Sequence, residues 1–422
     1  MRILYVVHQF YPEFGSGTER FTLNLARAMQ RAGHAVHVLT WRLEGPSCGA
    51  PDGGPCRLDE VRYAGVPVTA FHYVVPPPDL HHSLEPRAPL TELALDLLDR
   101  HRFDVAHVTH AMRTSSALDA LVRRSVPYVV TVTDFFLPCY RIDLVRVDGS
   151  PCEGPRAGAE CQRHCLVAGL SREYLWARAR RAEDLLHSAA AVVAPSRFVA
   201  SVFQEEYPDL EVRVVPHGVD QAEIVPRAPR EADGRLVVGY LGSLLPHKGV
   251  DVLIRAFRQV EESNLRLELY GEAWGDSAFG EALHGLADGD PRIRFRGGVP
   301  AAGVADALAE MDVIVLPSVV RETFSLVLSE ALAAGVPAVV SRVGALAERV
   351  VDGTTGRHVT PRSIEDLARV LREIAADPAV LRRWRSLLQP PARVEDEAFA
   401  YEGIYRGAAA RARGERAAEV RA

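Results

Sequence analysis

Leu236-Val237-Val238-Gly239-Tyr240-Leu241-Gly242-Ser243-Leu244-Leu245-Pro246-His247-Lys248-Gly249 is the stretch that decides the fold. An apolar run of strand length ends in a glycine and serine break, and the Pro-His-Lys-Gly segment then opens a helix. Strand, short loop and helix make the first half of a βαβ unit, and the same signal recurs along the chain. Upstream, strand-like runs stand at Ile3–Val7, Ala35–Leu39, Val66–Phe71, Val105–Val108, Tyr128–Val132 and Ala191–Ala194. Downstream they stand at Leu265–Tyr270, Ile293–Phe295, Val313–Leu316 and Ala338–Ser341. Helical spacing marks Glu19–Arg31, Leu90–Asp99, Asp251–Val260, Ser325–Ala334 and Ile364–Ala375. This alternation predicts an α/β protein built on parallel sheets.

A chain of 422 residues exceeds one ordinary core, since domains run to roughly 100–200 residues. The prolines, glycines and charges of Pro216 to Gly234 supply the boundary. The expected organisation is a first domain over 1–218, a second over 219–392, and a last helix over 393–422 that packs back on the first. The net charge of -6 argues against nucleic acid, whose phosphates an acidic surface repels. No apolar run approaches the roughly 18 residues of a spanning helix, and Ile3–Val7 reads as a buried strand instead of a signal peptide. The expectation is a cytoplasmic protein with reduced cysteines.

Of 49 Lys and Arg residues, Lys248 is the single lysine. In so arginine-rich a chain, a lysine suits a task needing a compact, flexible ammonium. It stands where the carboxyl end of a strand meets a helix start, the place where open α/β sheets bind ligands. A diphosphate there would meet the ammonium and backbone amides. Gly15 and Gly17 precede the first helix and let backbone approach an anion in the same way. Farther on, Glu322 and Glu330 flank Thr323, Phe324 and Ser325. A helix running through both glutamates would set them about two turns apart, with carboxylates suited to vicinal hydroxyls and amides of the helix start suited to phosphate. Taken singly, each feature also has an ordinary reading as a turn, a surface lysine or a solvated carboxylate.

Together and in this order the motifs resemble glycosyltransferase family 4, bacterial retaining enzymes of GT-B architecture with two Rossmann-like domains facing across a cleft. The matching pieces are Gly17-Thr18-Glu19, His107-Val108-Thr109-His110, Ala194-Pro195-Ser196, Val215 to Asp220, Gly242 through Gly249, Glu322 to Glu330, Gly335-Val336-Pro337, Gly344, Glu348, and Asp352 to Gly356. The resemblance implies a nucleotide-sugar donor, with UDP-sugar favoured. Lys248 would hold the diphosphate, Glu330 the ribose and Glu322 the sugar hydroxyls, while His110 would face the anomeric carbon. Gly17 would lie near the phosphates and the base near Arg296-Gly297. Ser243 departs from the family's frequent arginine, so the clamp has one cation fewer. The resemblance also implies same-face substitution with no metal at the reaction centre, since no enzyme nucleophile is recognised.

Cys139, Cys152, Cys161 and Cys165 form a cysteine-bearing insertion over about 135–168, similar to one in some bacterial family members. Four thiolates suit a tetrahedral structural zinc; reduced cysteines equally serve as small buried hydrophobes. Loops from Glu44 to Val61, Val75 to Pro89 and Phe135 to Ala168 are expected to shape the acceptor side. A lipid-linked sugar, a polysaccharide and a small metabolite remain open as acceptor, and family analogy adds peripheral contact with the inner membrane face. A silent nucleotide-sugar binder and a sugar phosphorylase or epimerase on the same plan are the competing readings.

Overall fold

The computed structural model describes residues 1–42, 58–72, 79–166, 170–220, 224, 235–273 and 275–419. The chain forms two compact units, Met1–His217 with Val394–Ala422, and Gly218–Arg393.

The first unit is built on an eight-stranded sheet: β1 (Arg2–Val7), β2 (Ala35–Trp41), β3 (Leu58–Tyr63), β4 (Val66–Phe71), β5 (Val105–Val108), β6 (Tyr128–Thr131), β7 (Ala191–Ala194) and β8 (Val212–Val214). Their order is β3-β4-β2-β1-β5-β6-β7-β8. All neighbours are parallel except β3, which pairs antiparallel with β4, Leu58 opposite Phe71. The sequence reading placed part of β3 in a loop, because Leu58-Asp59-Glu60-Val61-Arg62-Tyr63 is polar and lies at the sheet edge, where strands need little apolar surface. The central strands are buried on both faces, as parallel strands covered by helices must be.

The last helix, Val394–Glu419, is part of this first unit. Its Tyr401 and Tyr405 are fully buried and bond to the sheet. Tyr405 Oη lies 2.6 Å from His107 Nδ1, His107 Nε2 lies 2.7 Å from Thr131 Oγ1, and Tyr401 Oη lies 2.7 Å from the same Thr131 oxygen. Buried polar groups are tolerated when partnered in this way, and the network ties β5 and β6 to the helix.

The second unit has six parallel strands: β9 (Leu236–Leu241), β10 (Leu265–Tyr270), β11 (Ile293–Gly297), β12 (Val313–Leu316), β13 (Ala338–Ser341) and β14 (Gly356–Val359). Their order is β11-β10-β9-β12-β13-β14. The helix Val250–Arg258 buries Val250, Val252, Leu253, Ile254, Ala256 and Phe257 against it. Each fully buried aliphatic or aromatic side chain contributes about 1.5–3 kcal/mol.

Both sheets have a switch point, where successive strands leave in opposite directions. It falls between β1 and β5 in the first unit and between β9 and β12 in the second. The loops leaving these four strands are thus neighbours in pairs, which is how such sheets make ligand crevices. No described helix is long and apolar enough to cross a membrane. Residues 44–57, 75–78, 167–168, 221–223 and 225–234, which carry parts of the expected acceptor loops and domain boundary, lie outside the described residues.

Candidate functional site

In the second unit the switch point joins the loop after β9 to the loop after β12. Their backbones touch: Val319 N–H donates to His247 O at 2.9 Å, and a Cβ on Gly249 would stand 2.1 Å from Pro317 O. Gly249 has a φ of +71°, a left-handed conformation natural to glycine, so the chain turns from the 3-10 turn Pro246–Lys248 into the helix Val250–Arg258. This turn brings Lys248 Nζ to 2.7 Å from Glu322 Oε1, although 74 residues separate them in sequence. Ser318 Oγ donates to the same oxygen at 2.7 Å. Burial pushes the Glu322 carboxyl up, but Lys248 and the two hydrogen bonds outweigh it and leave the group below the usual glutamate range. Glu322 therefore stays ionised at neutral pH, a charged acceptor beside a charged donor.

The expected helix through both glutamates is corrected here. The helix begins at Leu326 and ends at Ala333, so Glu322 lies in the loop before it and Glu330 inside it, 3% exposed. Ser325 takes a φ of +70° and caps the helix, its Oγ accepting from Leu328 N–H at 3.3 Å. A serine in the left-handed region stops helical geometry from extending back to Glu322. Gly344, φ +52°, packs so closely behind the loop that a Cβ would meet Glu322 O at 2.4 Å. Thr323 and Ser325 are half-buried and Phe324 buried.

Ser243 follows β9 with its carbonyl accepting from Tyr240 Oη at 2.7 Å. Arg296 and Gly297 end β11 on the sheet edge, two strands from β9. Arg296 pairs with Glu268 at 3.2 Å and Glu310 at 3.3 Å, its guanidinium over the Tyr270 ring. The structure thus brings Lys248, Glu322 and the 323–325 loop together and sets Arg296 apart in its own ion-pair network.

In the first unit the corresponding loops carry Gly15, Gly17 and His110. Gly17 opens the helix Gly17–Arg31, and Ser16 N–H donates to Glu19 Oε2 at 2.7 Å. A Cβ on Gly17 would find nothing within 4 Å among the described residues. His110 is buried, with both ring nitrogens engaged. Met112 N–H donates to Nδ1 at 3.1 Å, so Nε2 carries the proton and donates to Asp134 Oδ2 at 2.5 Å. His8 lies against His110, the two rings tilted by 31° with centroids 3.9 Å apart, and sets its Nε2 3.6 Å from the fully buried Glu19. Burial, with His110 and Arg113 close by, holds His8 well below the usual histidine range, hence neutral. Asp134, 27% exposed, is the polar group this cluster turns outward. Sequence reasoning missed it; the available signal was its position three residues past the end of β6, the strand beside β5.

The four cysteines are buried thiols outside any disulfide among the described residues. Cys139 and Cys152 pack into the core beside the first sheet, while Cys161 and Cys165 pack with Tyr140 and Leu175. Burial pushes the thiols of Cys139 and Cys161 up to about 11 and about 12. Among the described residues no three His, Cys, Asp or Glu side chains converge in a group that could hold a metal ion. The Cys161 thiol is close enough to Cys139, Cys152 and Cys165 to feel all three, and buried reduced thiols commonly serve as small apolar core residues.

The geometry can be set beside known proteins. A family model described as Glycosyltransferase Family 4 matches residues 15–223, and one described as Glycosyl transferases group 1 matches residues 235–377. The lipopolysaccharide 1,2-N-acetylglucosaminetransferase of Salmonella typhimurium is 29% identical over 213 residues, 46% of this chain and 55% of that protein. A D-inositol 3-phosphate glycosyltransferase of Kribbella flavida is 32% identical over 219 residues, 46% and 51% of the two chains. The matches span about half the length of these curated relatives. Among solved structures, sucrose-phosphate synthase from Thermosynechococcus elongatus superposes with a TM-score of 0.71 at 20% identity, covering 96% of this chain and 98% of the other. Anabaena HepE in complex with UDP and glucose gives 0.68 at 18% identity, covering 95% and 98%. At such identities the likeness is one of fold.

Proposed function

Since the chain belongs to the glycosyltransferases of family 4, with their two-domain GT-B fold, we propose that it transfers a sugar from a nucleotide diphosphate donor, preferably a UDP-sugar, to an acceptor alcohol with retention of anomeric configuration. The observation that carries this reading is the Lys248–Glu322 pair at the switch point of the second sheet. An ammonium, a carboxylate and a helix start meet where α/β sheets hold nucleotides.

On this reading the diphosphate displaces Glu322 from part of the Lys248 ammonium, and the amides of the 323–325 loop complete the anion site. As the bond from the anomeric carbon to the phosphate oxygen lengthens, negative charge grows on that oxygen next to Lys248. The acceptor hydroxyl attacks from the same face and passes its proton to the departing phosphate, so no enzyme nucleophile takes part. Glu322 accepts from sugar hydroxyls and Glu330 from the ribose. In the first unit Asp134, held by the His110 Nε2–H, is the carboxylate offered to the acceptor side. The chemistry of the relatives named above supports glycoconjugate synthesis as the setting, with a UDP complex among the structural neighbours.

A thermal-shift and turnover screen with UDP-, GDP- and ADP-sugars tests the proposal, with Lys248→Ala alongside. The expected outcome is stabilisation and slow hydrolysis with one donor, and turnover lower by two or more orders of magnitude in the variant, since charge-stabilising donors are worth about that much. A variant as active as wild type would sink the assignment. The second reading is a nucleotide-sugar binder without turnover, favoured by the engagement of both His110 nitrogens within the protein. Donor binding with neither hydrolysis nor transfer would select it.

A further inference from the structure

The anion site just proposed depends on a loop in an unfavourable shape. Ser325 sits at φ +70°, a conformation that costs a non-glycine residue free energy unless its surroundings fix it. The carbonyls of Phe324 and Ser325 must also find donors. One side chain meets both needs. Arg349, the last residue of the helix Gly344–Arg349, donates from Nη1 to Phe324 O at 2.8 Å and to Ser325 O at 3.0 Å. Its Nη2 donates to Ser329 Oγ at 2.6 Å, and its guanidinium carbon lies 4.0 Å above the Phe324 ring.

The consequence follows from peptide geometry. In a planar trans peptide the C=O and the next N–H point in opposite directions. With both carbonyls turned toward Arg349, the N–H groups of Ser325 and Leu326 turn to the other side of the loop, away from the guanidinium. The start of the same helix holds the other end of the loop, because Ala345 N–H donates to Glu322 O at 2.9 Å and Gly344 packs against Glu322 backbone. Helix Gly344–Arg349 is thus a brace with two grips, one on Glu322 and one on Phe324-Ser325. The planar fork of arginine fits two carbonyls, a hydroxyl and a ring face at once, which lysine does not.

We propose that Arg349 is a positioning residue for donor binding: without touching the nucleotide, it fixes the 324–326 peptides so that their amides face the diphosphate. Burial lowers its guanidinium only to about 10, so it stays charged through the neutral range. This inference rests on the donor reading above and deepens it.

Calorimetric titration with UDP, GDP and ADP, together with donor KM and kcat, tests it on wild type, Arg349→Met and Arg349→Lys. The expected result is an increase of about ten-fold to a hundred-fold in the dissociation constant of the bound nucleotide and in donor KM for both variants, as loss of charge-assisted bonds implies. The kcat should fall less, with far-UV dichroism unchanged. In Arg349→Ala, guanidinium ion but not methylammonium should restore part of the affinity. Wild-type affinity in Arg349→Lys, or a loss of kcat with unchanged KM, overturns the proposal. Failure of both Met and Lys variants to fold also overturns it, since Arg349 would then serve stability alone. Wild-type protein that binds none of the three nucleotides overturns the donor reading itself, and this inference with it.

Discussion

Gly249 and Gly17, each beside a switch point at the start of a helix, are set in opposite ways. In the second unit Gly249 packs against Pro317 O, and beyond neighbouring strands Gly271 packs against Gly242 O at 1.8 Å and Gly344 against Glu322 O, measured from where a Cβ would stand. In the first unit a Cβ on Gly17 would meet nothing within 4 Å among the described residues. There, order comes from side chains bonded to one another: His110 to Asp134, His107 to Tyr405 and Thr131. Glycine at these three positions of the second unit is required by the fold, whereas the packing makes no such demand at Gly17.

Acid should separate the two designs most. His107 is fully buried and neutral, with burial, helped by His217, lowering it to about 3, and burial with His101 lowers His37 to about 4. The unfolded chain takes up these protons below about 6.5, while the folded chain refuses them. The stability they contribute is fully present above about 6.5 and is lost as pH falls toward 3–4, on the order of a few kcal/mol between pH 7 and pH 4. Thermal melts at pH 7, 5 and 4 check this, and an unchanged midpoint for the first unit would refute it. Next in size, Gly249→Ala forces a left-handed alanine onto a backbone carbonyl and should cost about 2–4 kcal/mol in urea unfolding.

Asp134→Asn should leave nucleotide affinity intact and reduce transfer by about a hundred-fold, because the carboxylate held by His110 becomes a weaker amide acceptor. Equal effects on affinity and turnover would place Asp134 outside the acceptor side. The smallest effect on stability belongs to Gly17→Ala, within about 1 kcal/mol by denaturation. Its expected consequence is a rise in donor or acceptor KM, and unchanged kinetics would return Gly17 to an ordinary helix start.

The fold was largely legible. Val66–Phe71, Val105–Val108, Leu236–Leu241, Leu265–Tyr270 and Val313–Leu316 fall where the apolar runs stand, because strands of a parallel sheet covered by helices are predominantly apolar. Strands β3, β8 and β14 escaped for the opposite reason: they lie at sheet edges, where half-exposed residues suffice and periodicity fades. The family was legible as well, through motifs spaced along the whole chain. The site was legible in part. Lys248 stood out by rarity, and Glu322 by its place before an apolar helix. Arg349 did not, since an arginine among many at a helix end has no local mark of its task.

Composition and local pattern therefore determined the α/β class, the strand positions and the candidate residues, because burial and helix periodicity are written in adjacent residues. Tertiary structure alone decided which of those residues meet. The strand order places β12 beside β9 and so sets Glu322 against Lys248. The same packing delivers Arg349 to the carbonyls of a loop 24 and 25 residues earlier. It also spends both nitrogens of His110 on Met112 and Asp134, so that the carboxylate faces outward. Such contacts arise from sheet topology, a long-range property that no single segment encodes.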